Sequence, residues 1–490
     1  MAKLFLALFL GSALAAPAAR QANGWPSSIA CQVHGPEWPQ FVNATTRWST
    51  YSAPTFDEIF LPRTGEDLAV GLQYLSSIGK PYLAMSGGHG YAPSLGEIQN
   101  ATMINMRNFN YVNVHEDGTA TIGSGTKFRD VINGAYAAGR EITVGNCPCV
   151  GSIGAMLGGG LGRLQGEHAL TSDALRAVNM VLWNGTRITA SETEHADLFW
   201  GLRGAGQNFG IVYEGIFETY EQTNGGNHYI ADIAFHPSNL SAVIGVTDAL
   251  WENWDSRLAI ITAFGVDPAS HTPLILVNIV FAGPEEEGRA IVAQYLPLAI
   301  AQITDETVTW PEVASTALMG GIEAGCATGA RSNSYNVMVR RLDRELLPEL
   351  FASFAEFVTA NPLASTSTVM IESFAQQAVQ ALPDDYSAFP HRRAFNNAIV
   401  ISANYFDDAV AEAAGEWALS WRNRINHPEI TGFDTFHVYQ NYANDDEPLS
   451  ALYGVESWRH ERLTALKNAY DPHGMFNGYH AIPTTLADWS

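Results

Sequence analysis

Short apolar runs and stretches of helical period follow one another along most of the chain. Glu58-Ile59-Phe60-Leu61-Pro62 reads as a strand, and Thr64 to Ile78 as a helix with Thr64 as its cap and Asp67 three residues later. Gly79 stops that helix, and Pro81 to Met85 returns as a strand. Thr119 to Ser124 alternates like a strand. Lys127 to Ala138 then sets Phe128, Val131, Ile132, Ala135 and Tyr136 on one helical face and ends at Gly139. Gly145 to Gly166 is dense in glycine and poor in charge, which predicts closely packed backbone rather than a solvated linker. Residues 53–224 are expected to form one nucleotide-binding domain.

The middle, 225–432, alternates apolar runs (Ile260 to Val266, Leu274 to Phe281, Ser367 to Phe374, Ala398 to Tyr405) with amphipathic helices such as Leu346 to Thr359. Strands and helices segregated in this way predict an α+β lid, an antiparallel sheet covered by helices. The last segment, 433–490, carries the aromatic cluster Tyr439-Gln440-Asn441-Tyr442, read as a strand, and a helix from Trp458 to Ala469 ending at Asp471-Pro472. It is expected to return to the first domain.

A length of 490 residues fits two or three lobes. The formal charge of −24, from 26 basic and 50 acidic residues, disfavours polyphosphate partners and so nucleic acid. Lys3, the apolar run Leu4 to Leu10 and the small residues up to Ala16 read as a secretory signal over 1–16, too short to span a bilayer. Sequons at Asn43, Asn100, Asn184 and Asn239 agree with an exported glycoprotein. No membrane association is expected, and the chain is taken as a monomer.

Of the four cysteines, Cys147 and Cys149 stand one residue apart, too tight for an unstrained disulfide, and no second ligand pair makes a zinc site. If Cys147 has a partner other than sulfur, Cys31 can pair with Cys326 and Cys149 is left as a small buried hydrophobe.

Two glycine clusters carry candidate chemistry. Ser86-Gly87-Gly88-His89-Gly90 is a bare turn at a strand end that presents an imidazole. Gly151, Gly154, Gly158, Gly159, Gly160 and Gly162 form either an anion-binding nest or a close crossing of backbones. Neither is a Rossmann fingerprint or a P-loop, so a nicotinamide dehydrogenase fits poorly.

Read in order, Ser86 to Gly90, Thr121 to Gly125, Gly145-x-Cys147-Pro148-x-Val150-Gly151, Gly158-Gly159-Gly160-x-Gly162 and Asp197 to Val212 resemble the FAD-binding domain of the vanillyl-alcohol oxidase and p-cresol methylhydroxylase superfamily. Tyr439-x-Asn441-Tyr442 and Tyr470-Asp471-Pro472-x-x-x-Phe476 are similar to the C-terminal element of berberine-bridge-enzyme-like oxidases. The resemblance implies a two-lobed α+β fold with covalent FAD, His89 joined to the flavin 8-methyl carbon and Cys147 to ring carbon 6, with Cys149 the rival sulfur. It places Ser86, Gly87, Gly88, Gly90, Gly151, Gly154, Gly158, Gly159, Gly210 and Val212 around the cofactor. Asn441 would contact the flavin ring, and Val150 would lie over its face in the form that admits molecular oxygen. Met85 departs from the Arg or Lys of many relatives, removing positive charge beside the cofactor.

For the proton that leaves with hydride transfer, the face Ala398, Val400, Ser402 offers no carboxylate, so Tyr439 is the first candidate base and Glu372 the second. Gly162-Arg163-Leu164-Gln165-Gly166 resembles fungal relatives of secondary metabolism. The implied function is a secreted oxidase acting on an alcohol or related carbon of a small natural product, with oxygen as acceptor and hydrogen peroxide as product. An oligosaccharide oxidase forming lactones and a catalytically weak flavin-binding protein are the alternatives.

Overall fold

The computed structural model describes residues 24–393 and 395–489. The signal segment read over 1–16 lies outside them. Thr64 caps the helix Gly65–Ser77 by accepting from the backbone N–H of Asp67 at 3.1 Å, and Gly79 follows in the left-handed region at φ 63°. That helix crosses over between the parallel strands Phe56–Phe60 and Tyr82–Met85, with Ala101–Asn105 between them. A second, antiparallel sheet of five strands contains Thr119–Gly123 and Ile211–Glu218 as neighbours. The helix Phe128–Ala137 buries Phe128, Val131, Ile132 and Ala135 in the core beneath it.

A seven-stranded antiparallel sheet follows. Four of its strands, Leu258–Val266, Pro273–Phe281, Thr368–Phe374 and Asn397–Tyr405, fall where the apolar runs predict them. Alternation along the last two divides the sheet by face. Val369, Ile371, Ile399 and Ile401 enter an apolar core with the helices Leu240–Leu250, Leu346–Ala360 and Ala411–Ile425. Thr368, Met370, Glu372, Val400 and Ser402 point the other way, into a cavity shared with the glycine-rich segments. The sheet is therefore covered on one side and works on the other.

The C-terminal helix Ser457–Tyr470 lies as expected, but Gln440–Tyr442 is a turn of 3₁₀ helix rather than a strand. The cysteine pairing also differs: Cys149 is joined to Cys326, while Cys31 is exposed and free. Cys149 is thus a cross-link and not a small buried hydrophobe, because the fold brings the loop carrying Cys326 against the Cys147-Pro148-Cys149 corner and leaves Cys31 at the surface. Asn43, Asn100 and Asn184 are exposed, whereas the Asn239 amide already donates to the carbonyl of Leu298 at 2.8 Å. No helix among the described residues is long and apolar enough to cross a membrane.

Candidate active site

Three parts of the chain meet around a cavity of about 570 Å³, within the size range of cofactor and small-molecule sites. The turn after the strand Tyr82–Met85 supplies one wall, and His89 sits in it. The corner Asn146 to Gly151 supplies the next, with Cys147 and Val150 reaching the cavity. The working face of the large sheet and the 439–442 turn close the far side. Ser86, Gly87, Gly88, Gly90, Gly151, Gly154, Gly210, Val212, Asn441, Tyr439 and Glu372 also line it.

Gly158 and Gly159 do not line it. A Cβ on Gly158 would stand 2.2 Å from Oδ1 of Asn441, and one on Gly159 would stand 2.7 Å from the Phe389 ring. Both are bare so that neighbours can pack, and the nest expectation gives way there to the packing one. The same holds for the pair that joins the two walls: a Cβ on Gly87 would come within 2.3 Å of the Gly151 nitrogen, and one on Gly151 within 2.3 Å of the Gly87 nitrogen. Gly154 differs, since a Cβ there meets only Ser86 Cβ, at 3.9 Å, and extends into the cavity.

These glycines make separable predictions. Gly151→Ala must push two backbones apart, and we expect a loss of about 1–3 kcal/mol of stability. Gly154→Ala should leave stability unchanged while lowering bound flavin. Denaturation midpoints and the ratio of flavin to protein absorbance measure both, and equal effects on stability would refute the distinction.

His89 and Cys147 stand side by side, with imidazole Nε2 3.8 Å from the thiol sulfur. Trp48 stacks on the imidazole at 4.2 Å between centroids and fixes its plane. Burial pulls the His89 pKa down to about 3, helped by the charges of Arg47 and Lys127, so the ring is neutral and keeps a free lone pair. Burial pushes the Cys147 thiol up.

Glu372 on the strand Thr368–Phe374 accepts from Asn146 Nδ2 at 2.7 Å and from the Tyr442 hydroxyl at 3.1 Å. Burial raises its pKa, opposed by those two hydrogen bonds and by the charge of Arg163. In register it faces Ala398. The carboxylate missing from the Ala398–Val400–Ser402 face is thus presented by the neighbouring strand.

Tyr439, the first candidate base, lines the cavity with its hydroxyl oxygen already engaged. Its oxygen accepts from the backbone N–H groups of Gly160 at 2.8 Å and Leu161 at 3.3 Å, and from Asn441 Nδ2 at 2.6 Å. Burial nevertheless holds its pKa up at about 12, so it is a neutral hydroxyl. Asn441 is anchored in turn on the carbonyl of Ala155 at 2.7 Å.

Several lining residues escape the sequence reading. Arg47, ahead of the expected domain boundary, is buried, donates to the Gly90 carbonyl at 2.8 Å and carries a cation to the wall where Met85 has none. Its only sequence signal is a charge in an otherwise apolar and polar stretch. Trp48, Met475 and Tyr479 likewise line the cavity from the two ends of the chain.

An FAD group fits these residues. The side-chain oxygens of Ser86, Ser124 and Tyr82 and Oδ1 of Asn146 are buried at the cavity without hydrogen-bond partners among the described residues, two nucleophilic side chains adjoin, and Gly154 leaves its backbone bare. A family model described as an FAD binding domain matches residues 56–191. FAD-linked oxidoreductase OXR1 of Pyricularia oryzae is 33% identical over 474 residues, 95% of this chain and 91% of the relative. The chain belongs to the FAD-linked oxidoreductases. Two solved structures share the fold of this oxidoreductase. Physcomitrella patens BBE-like 1 is 21% identical with a TM-score of 0.77, covering 92% of this chain and 97% of that one. The glucooligosaccharide oxidase of Acremonium strictum, described as carrying a 6-S-cysteinyl, 8α-N1-histidyl FAD, is 22% identical with a TM-score of 0.76, covering 93% and 98%. The α+β fold that the motif resemblance implies stands with these matches.

Proposed function

We propose that this FAD-linked oxidoreductase is an exported oxidase that holds its flavin through both His89 and Cys147 and oxidises an alcohol or related carbon of a small natural product. The observation that carries the reading is the pair itself: a neutral imidazole nitrogen and a thiol 3.8 Å apart on one wall of the cavity, with a buried carboxylate, Glu372, lining the same cavity. The bound flavin supplies the two-electron acceptor for substrate hydride. Glu372, aimed by Asn146 and Tyr442, receives the proton from the substrate hydroxyl. The Tyr439 hydroxyl, held by two backbone amides and Asn441, keeps its own proton to donate to a substrate oxygen. Val150, small and β-branched, leaves room at the cavity wall for oxygen, the proposed acceptor.

A second reading, oxidation of an oligosaccharide, is favoured by the side chains of Thr368, Ser402 and Asn404 on the working face, which alternate with Met370 and Val400. Oxygen consumption with sugars against hydrophobic alcohols separates the two.

For the attachment, the mature secreted chain is denatured in acid and examined by absorbance and intact mass. Flavin should stay with the wild type and with His89→Ala or Cys147→Ser alone, and leave only the double variant. Flavin that washes out of the wild type overturns covalent attachment.

A further inference from the structure

Two sulfurs, not one, are within reach of His89. Cys147 Sγ and Cys149 Sγ each lie 3.8 Å from its Nε2, and they lie 3.2 Å from one another. Distance to the imidazole does not choose between them. A bond between the two is disfavoured by the single residue separating them.

The third sulfur breaks the tie. Cys326 follows the short helix Gly321–Ala324, 177 residues beyond Cys149, and its loop is tied down at this corner. Trp48 Nε1 donates to the Gly325 carbonyl at 2.8 Å, Arg129 pairs with Glu323, and the Gly329 N–H reaches the Trp48 carbonyl at 3.2 Å. The fold therefore delivers one extra cysteine to a place that holds two. Its sulfur lies 3.9 Å from Cys147 but is bonded to Cys149.

We propose that the Cys149–Cys326 disulfide selects the sulfur that carries the flavin: it occupies Cys149 and leaves Cys147 as the thiol beside His89. This rests on the bicovalent reading above. The joining step forms one bond from sulfur to flavin carbon 6 and breaks the thiol S–H and the ring C–H. Molecular oxygen accepts the two electrons and the two protons, leaving as hydrogen peroxide, so that thiol, flavin and oxygen become thioether and peroxide with nothing left over. A disulfide sulfur has no hydrogen to give in this step. Cys326 is thus a specificity-determining residue that itself never needs to touch the flavin.

The test maps the flavin-bearing peptides of the full-length secreted protein by mass spectrometry after proteolysis. In the wild type we expect flavin on Cys147 and Cys149 linked to Cys326. Cys147→Ser should carry flavin through His89 alone, because Cys149 stays engaged. Cys147→Ser combined with Cys326→Ser should restore a thioether, now on Cys149. The single variant Cys326→Ser should divide the thioether between the two sulfurs.

Flavin found only on His89 in the double variant, or only on Cys147 in Cys326→Ser, overturns the inference, as does a wild-type thioether on Cys149. The His89-linked flavin in each variant reports that the cavity has formed, and the single variant Cys326→Ser decides between the outcomes if the double variant does not accumulate. Absence of any thioether from the wild type is a different result: it defeats the bicovalent reading on which the inference stands.

Discussion

Replacing Glu372 with glutamine should lower turnover roughly 10²–10⁴-fold, the span of a lost general base, with the flavin content of the purified protein unchanged. Glutamine keeps the shape, its one oxygen can still accept from Asn146 and its Nε2 can donate to the Tyr442 hydroxyl, so the cavity survives and only the proton acceptor goes. The pH profile gives the sharper readout. Burial raises the Glu372 pKa, so the carboxylate protonates on acidification at a pH above the ordinary glutamate value of about 4.3. A base works only when ionised. Wild-type turnover should therefore fall as pH drops through that raised value, and the variant should lose this limb of the profile. Wild-type turnover in the variant would remove Glu372 from the chemistry and return the role to another group.

The second large effect concerns a buried ion pair between the turn Thr171–Ala174, beyond the glycine-rich segment, and the loop that leads into the strand Asn397–Tyr405. Arg392 and Asp173 form a bidentate pair at 2.6 and 2.9 Å, with side chains 0% and 3% exposed. Asp173 also accepts from the N–H of Leu170, and Arg392 donates to Ser387. Asp173→Ala leaves a guanidinium buried without its counter-charge, at an expected loss of about 3–5 kcal/mol. A double variant that also carries Arg392→Met should recover part of that loss, since the stranded charge is gone. Chemical-denaturation midpoints with intrinsic tryptophan fluorescence measure both. If the single variant unfolds at the wild-type midpoint, the pair holds nothing together.

Much of this architecture was legible because strong periodicity coincided with burial. The helices Gly65–Ser77 and Phe128–Ala137 carry their caps and stops in the sequence, and the strands around Ile260, Leu276, Ile371 and Ile401 are apolar on the face that meets the helices. The strands Ala299–Thr309 and Arg331–Val339 were harder to read. The first is an edge strand, largely exposed and rich in polar residues, and the second mixes serines and asparagines that face neighbouring polar groups. Neither shows a clean period. At the site, fixed local motifs led to His89, Cys147 and Gly151, whereas Tyr439 could be placed but not given its protonation state, which depends on burial and on amides far away in sequence. Arg47 and the Cys149–Cys326 link were invisible for the same reason: only the fold decides which distant residues meet. Gly158 and Gly159 show the converse error, a motif taken for a ligand cradle where bulky neighbours need the space.

The cavity draws on both ends of the chain, with Arg47 and Trp48 on one side and Met475, Phe476 and Tyr479 on the other. Asp471 fixes the late segment by accepting from the N–H groups of Met475 and Phe476 and from Lys467. Synthesis proceeds from the N-terminus, so the wall carrying Met475, Phe476 and Tyr479 is made after the walls carrying Trp48, His89 and Cys147. Enclosure of a cofactor here is consequently an event in time as well as in space: it waits for Met475, Phe476 and Tyr479 to join the walls made before them.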